Sequence, residues 1–213
     1  MLEFSPMQVS LWINKLNPNF KQSLVPLGLS CASHLHQIKV DESLIRAATN
    51  FYIPSRHVFQ FNGIELCPTI EESDAIMGEW DFGSTILSTL EENLSELAHK
   101  FLGISQVMAK RWCKPRKLNI SMVISYFFKK ALPLAGTEHA YFLNAYCLCI
   151  LVGIFLVHSS HRMDSSILHV VQHLWEGSPV PIILAETLNG LDVVHREEAN
   201  SFLAVISFSR YDP

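Results

Sequence analysis

The sequence lacks every compact catalytic signature that spacing alone can reveal. Its nine glycines are scattered singly, so there is neither a Walker loop nor a G-x-G-x-x-G turn, and no phosphate cradle of that kind. No G-x-S-x-G occurs, which removes the elbow that exposes a nucleophilic serine. The five cysteines, Cys31, Cys67, Cys113, Cys147 and Cys149, are odd in number and never spaced C-x-x-C. That argues against a disulfide framework or zinc knuckle, and for reduced, mostly buried thiols in a protein of the nucleus or cytoplasm. The opening MLEFSPMQVSLW carries Glu3 where a secretory leader would be basic and has no sustained apolar stretch, so no export signal is expected.

Charge is also scarce. Charged residues make up 17% of the 213 residues and hydrophobic ones 49%, with a mean hydropathy of +0.21. A chain of this length can bury a large core, and one this apolar must bury most of its helix faces or lend some to a partner. A single domain over 1–213 is the expectation. The longest uncharged run, Tyr141 to Val157, has seventeen residues and contains Asn144 and Gly153. A bilayer span needs about 20 apolar residues, so this run reads as the all-apolar central helix of a multihelical domain.

The charges present are segregated. Between His57 and His99 stand nine acidic residues and no lysine or arginine. Between Leu97 and Thr137 stand eight basic residues, Lys100, Lys110, Arg111, Lys114, Arg116, Lys117, Lys129 and Lys130, and no acid. The remaining eight cations face all twenty acids, so a net +8 segment sits in a net −12 remainder and the total is −4. Lys110, Arg111, Lys114, Arg116 and Lys117 surround Trp112, a combination suited to phosphate contact with base stacking on the indole. The plainer reading is a solvated loop that pairs with the chain's own acidic stretch.

Local signals describe a mainly α, multihelical globular domain with one small β-hairpin at about residues 57–67. Ser5-Pro6 opens a helix towards Leu16, and Pro18, Pro26 and Gly28 then break the chain into short pieces. Asp41 caps a helix whose buried stripe is Leu44, Ile45, Ala48, Phe51 and Tyr52, ended by Pro54. Asn62-Gly63 between two apolar runs marks a type I′ turn. Thr69 with Glu72 forms a capping box. Leu87, Leu90, Leu94, Leu97 and Phe101 predict one helix from Ser84, too short a repeat for a coiled coil. Shorter helices follow at about 105–112 and 119–131. Asp164 caps a stripe of Ile167, Val170, Val171, Leu174 and Trp175 that ends near Gly177. Pro179-Val180-Pro181 leads into a helix through Leu188, stopped by Asn189-Gly190, and a last helix is expected from Glu197 to Phe208.

Ten histidines raise a metal site. The candidates are His158, His161, His169 and His173, with Asp164 and Glu176 as further donors. His169 and His173 are four apart, on a helix face opposite the apolar stripe and so facing solvent or a neighbouring element. No Glu follows His169, so this is not an H-E-x-x-H site, and ordinary polar-face histidines are the simpler account. The acidic pairs Glu71/Glu72, Glu91/Glu92 and Glu197/Glu198 are sequence neighbours suited to caps and surfaces, not residues converging across a cleft. No catalytic residue and no cofactor is assigned.

Two segments carry a family resemblance. Val58-Phe59 followed by Ile64-Glu65-Leu66-Cys67-Pro68-Thr69-Ile70-Glu71-Glu72 resembles the F…-E-L-x-P-T-x-E-E segment of a plant domain of unknown function. Pro179-Val180-Pro181-Ile182-Ile183-Leu184-Ala185-Glu186-Thr187 resembles its N-P-V-P-A-I-L-A-E-T segment. The order between them also matches: Leu102–Ser105, an apolar helix, then an aspartate-capped helix. The likeness spans about residues 24–202 and is similar to the plant mobile domain, also labelled aminotransferase-like, of transposon-associated plant proteins. It implies a helical, nuclear or cytoplasmic module with no catalytic residues to carry over. No Schiff-base lysine or phosphate cup accompanies the aminotransferase label. The early end of the likeness, at Phe202-Leu203-Ala204-Val205-Ile206, carries the expectation of a domain cut short at its C-terminus. The expected function is therefore a non-catalytic interaction module with a protein partner. The alternative is nucleic-acid binding through Lys110–Lys117, and a weaker one is a metal-dependent enzyme using the His158–His173 group.

Overall fold

Side-chain caps set the starts of four helices. The computed structural model describes residues 11, 13–14, 16, 18–27, 29, 42–77, 93–114, 117–131, 136–155, 162–164, 167–174 and 176–195. Pro18 opens the short helix α1 (Pro18–Gln22), and a 3₁₀ turn follows at Val25–Leu27. Helix α2 spans Glu42–Thr49. It stops before Phe51 and Tyr52, which leave the helix instead of completing its expected stripe, and Leu44 is exposed. The hairpin is the cause: Gln60 N–H donates to Phe51 O at 2.8 Å and Tyr52 pairs with Phe59 in a ladder, so tertiary hydrogen bonds override helical spacing.

The resulting antiparallel sheet has the order β1 (Tyr52–Ile53), β2 (Val58–Phe61), β3 (Ile64–Leu66). Asn62 and Gly63 both have positive φ, 48° and 83°, the geometry of a type I′ turn. Thr69 and Glu72 then cap α3 (Ile70–Met77) reciprocally: Thr69 N–H donates to Glu72 Oε2 and Glu72 N–H to Thr69 Oγ1, each at 3.1 Å.

Helix α4 is shorter than the leucine spacing predicts. Asn93 holds an extended backbone and its side chain accepts the Ser95 N–H, so the helix is Leu94–Leu102. Leu87 and Leu90 lie outside the described residues. Gly103 ends α4 with φ +60°, and a Cβ there would stand 2.1 Å from the Tyr141 ring. Only glycine allows both that conformation and that approach. Ser105 caps α5 (Gln106–Trp112), and Asn119 caps α6 (Ile120–Phe128).

Between α5 and α6 lies a second antiparallel sheet that the sequence reading did not foresee: β4 (Cys113–Lys114), β5 (Lys117–Asn119) and β6 (Arg162–Asp164). Asp164 is therefore a strand residue, and the following helix, α8 (Ile167–Gln172), starts after it. The apolar run forms α7 (Thr137–Ile150) with a π-helical extension at Leu151–Phe155. It is the centre of the core, packed by α4, α6 and α8 and buried from Ala145 to Val152. Its one amide is satisfied: Asn144 Nδ2 donates to Phe101 O at 2.9 Å, a carbonyl of the last turn of α4 that has no partner within its own helix. Among the described residues no helix is long and apolar enough to cross a membrane.

Helix α9 (Val180–His195) runs through Asn189-Gly190 rather than stopping there. Pro181 lies in its first turn, where a missing N–H costs nothing. Helices α2 and α3 pack on α9, and Tyr52, Val58 and Leu191 are buried apart from the main core cluster. The first sheet thus rides on a peripheral layer. The helices expected at residues 5–16 and 197–208 fall largely or wholly outside the described residues.

Candidate functional site

The basic segment divides between two environments. Lys110 and Arg111 are exposed in the last turn of α5, and Lys114 and Lys117 are exposed on β4 and β5. Register sets Lys114 directly opposite Lys117, Lys117 opposite Asp164, and Asn119 opposite Arg162. Like charges directly across a ladder repel and opposite charges attract, so Lys117 has an unfavourable ladder neighbour in Lys114 and a favourable one in Asp164. Arg116 lies outside the described residues. Trp112 corrects the stacking expectation. It is 5% exposed in the core and meets Tyr126 edge-on at 5.6 Å, because it ends α5 on the inward face that also buries Ala109, three residues earlier. Lys100 pairs with Glu96 within α4.

The two described histidines of the metal group part company. His169, expected on an outward face, is buried at 3%, and its Nε2 has no hydrogen-bond partner among the described residues. The reason is that α8 lies between α7 and α4 and buries all of its first five residues. His173 sits past the end of α8, half-exposed, its Nδ1 2.7 Å from Glu176 Oε2. Among the described residues no group of three or more His, Cys, Asp or Glu could hold a metal ion; His158 and His161 lie outside them.

Two features escaped the sequence reading. The first is an apolar sheet face. Ladder partners share a side, so the pairs Tyr52–Phe59, Phe59–Leu66 and Phe61–Ile64 set Tyr52, Phe59, Phe61, Ile64 and Leu66 on one face. Its rings form a row: Tyr52 to Phe59 at 5.3 Å, Phe59 to Phe61 at 6.4 Å, Phe61 to Phe51 at 4.7 Å. Burial falls along the row, from Tyr52 at 1% exposure to Leu66 at 54% and Ile64 at 65%. Ile70 and Ile76 of α3 are exposed as well. Five of the nine large apolar side chains exposed among the described residues thus lie between Phe51 and Ile76. The acids Glu65, Glu71 and Glu72 stand exposed around them.

The second is the contact that anchors this sheet. Tyr52 Oη is 2.9 Å from Asp192 Oδ1 on α9 and 2.8 Å from His57 Nδ1. His57 Nδ1 is 3.5 Å from the same carboxylate oxygen. The hydroxyl has one proton. Given to the carboxylate, it leaves Nδ1 as the donor to Tyr52 Oη. Burial, then the Asp192 contact, pushes the Tyr52 hydroxyl well above its ordinary pKa, which keeps that proton in place. His57 has φ 53°, a left-handed backbone that is costly for a residue with a Cβ. Tyr52 and Asp192 are 140 residues apart, and no spacing could have joined them. The cluster stands where the sheet meets α9, with His57 half-exposed.

With this geometry in view, residues 32–208 match the family described as a domain of unknown function, DUF7745. The chain belongs to that family. No curated protein and no solved structure matches it. The family match covers both segments that carried the resemblance, 58–72 and 179–187. In the structure these are the hairpin with its capped helix and the start of the helix on which they ride.

Proposed function

We propose that this DUF7745 domain is a non-catalytic interaction module that docks a protein partner on the apolar face of the β1–β2–β3 sheet and α3. The observation that carries the reading is the concentration of exposed large apolar residues at Phe51, Ile64, Leu66, Ile70 and Ile76, five of the nine among the described residues. Contiguous exposed apolar surface rimmed by polar residues marks interaction sites. Kinship with the plant mobile domain of transposon-associated proteins, and a place in the nucleus or cytoplasm, belong to the same proposal and rest on the segments at 58–72 and 179–187.

The test is affinity capture from source extract with three baits. These are the unmodified domain, an Ile64→Lys/Leu66→Lys variant and a Lys114→Glu/Lys117→Glu variant. A binder retained by the first and third and lost by the second is expected. Recovery that ignores the hairpin variant, or a robust turnover activity with no binder, overturns the reading.

A second reading is favoured by one observation, the cross-strand pair Lys114 and Lys117 beside Lys110 and Arg111 with no acid between residues 97 and 137. It is nucleic-acid binding by phosphate contact, without the Trp112 stacking. Anisotropy of labelled single-stranded RNA and duplex DNA at two salt concentrations tests it. Salt-sensitive binding lost when Lys114, Arg116 and Lys117 become glutamate would support it.

A further inference from the structure

We propose that the open edge of β3 takes an extended partner segment of apolar–basic–apolar pattern, added as a fourth antiparallel strand with its basic residue opposite Glu65. The inference rests on the docking face described above and names what that face recognises.

Backbone direction follows from the turn. In a two-residue hairpin the pair flanking the loop is hydrogen-bonded, and bonded and non-bonded pairs then alternate. Phe61–Ile64 and Phe59–Leu66 are therefore bonded pairs, and Gln60–Glu65 lies between them. Gln60 agrees, since its N–H turns away to Phe51 O on the other side. The N–H and C=O of Glu65 consequently point to the outer edge of β3, which has no ladder partner among the described residues. Natural edges are blunted by short length, charge, proline or a bulge. Ile64-Glu65-Leu66 is three residues long with one charge, Glu65, and no proline, and both apolar members are more than half exposed.

An added strand exchanges both main-chain bonds with Glu65 through one residue. That residue's side chain falls on the Glu65 face, and its two neighbours fall on the Ile64/Leu66 face, extending the apolar row. Charge selects the central residue. Glu65 is half-exposed and, among the described residues, pairs with Arg56, while Glu71 and Glu72 follow on α3 and no lysine or arginine occurs from 57 to 99. A lysine or arginine is favoured there and an acid is repelled.

The experiment is fluorescence anisotropy of a dye-labelled heptapeptide alternating valine and lysine, titrated with the full chain. Three peptides accompany it: one with glutamate for lysine, one N-methylated at the lysines and one N-methylated at the valines. The expected result is binding by the parent and the valine-methylated peptide. The glutamate and lysine-methylated peptides should weaken by roughly tenfold, the worth of one lost main-chain hydrogen bond or one charge contact. Glu65→Lys, an exposed change that leaves the core intact, should reverse the preference between lysine and glutamate peptides.

Equal affinity for both N-methylated peptides, no binding of the parent, or no reversal with Glu65→Lys overturns the strand inference. If the extract binder is still lost with Ile64→Lys/Leu66→Lys, the docking face survives and only its strand geometry falls. If that binder is unaffected, the docking face itself falls.

Discussion

The Tyr52 hydroxyl gives its one proton to the Asp192 carboxylate and accepts from His57 Nδ1. With the proton held by the carboxylate, Tyr52 joins a buried aromatic to a helix 140 residues away. Tyr52→Phe should cost about 1–2 kcal/mol, because it strands a largely buried carboxylate contact. Asp192→Asn should cost less when Tyr52→Phe is already present than in the unmodified chain. Chemical denaturation of the four proteins closes the cycle, and strictly additive losses would contradict the contact. A second residue-scale expectation concerns pH. Burial pushes the Cys113 thiol from 9.0 up to about 11. The folded state thus favours the protonated thiol. Its contribution is complete below pH 9 and is lost as pH rises towards 11, as linkage requires of a raised pKa. Cys113→Ala should flatten the fall in urea midpoint across that window, though Cys147 and Cys149, also pushed up by burial, keep some of the slope. Identical slopes in the two proteins would remove Cys113 from the account. None of these partners could be read from the sequence, where Tyr52 looked like the last residue of a helical stripe.

At the scale of elements, whatever is decided within a few residues was legible. The Asn62-Gly63 turn, the Thr69/Glu72 box and the starts of α5 and α6 depend on one side chain meeting a nearby backbone group, and they stand where the sequence put them. What failed depended on long-range pairing. Phe51 and Tyr52 left α2 for a ladder with β2, Asp164 became a strand residue because β5 was there to pair it, and His169 turned inward because α8 is enclosed. Gly103 shows the same division: its place after Leu102 suits a helix end, but its necessity comes from Tyr141. Gly103→Ala should destabilise the domain by about 2–4 kcal/mol, combining a left-handed backbone penalty with overpacking against an aromatic ring. Thermal unfolding measures it, and a change under about 0.5 kcal/mol, the range of ordinary surface substitutions, would show that the α4–α7 contact is loose.

At the scale of the whole molecule, the fold separates two jobs. The α4–α8 body buries the apolar run that composition made conspicuous. The peripheral layer of α2, α3, α9 and the first sheet carries exposed apolar residues in the stretch that holds acids and no cations. The segregation of charge was visible in sequence, whereas its placement around an apolar sheet face was not, since that requires the register of the hairpin. The mainly helical class follows from spacing, and the second sheet does not, because β6 comes from residues 162–164, far along the chain from β4 and β5.

The most direct test of the docking face is site-specific photo-crosslinking in source extract. A benzophenone amino acid is placed at position 64 in the centre of the face, or at position 107, where Val107 is 79% exposed on α5. The account predicts a discrete adduct from position 64 and none from position 107. Adducts of equal yield from both positions, or none from position 64, would contradict it.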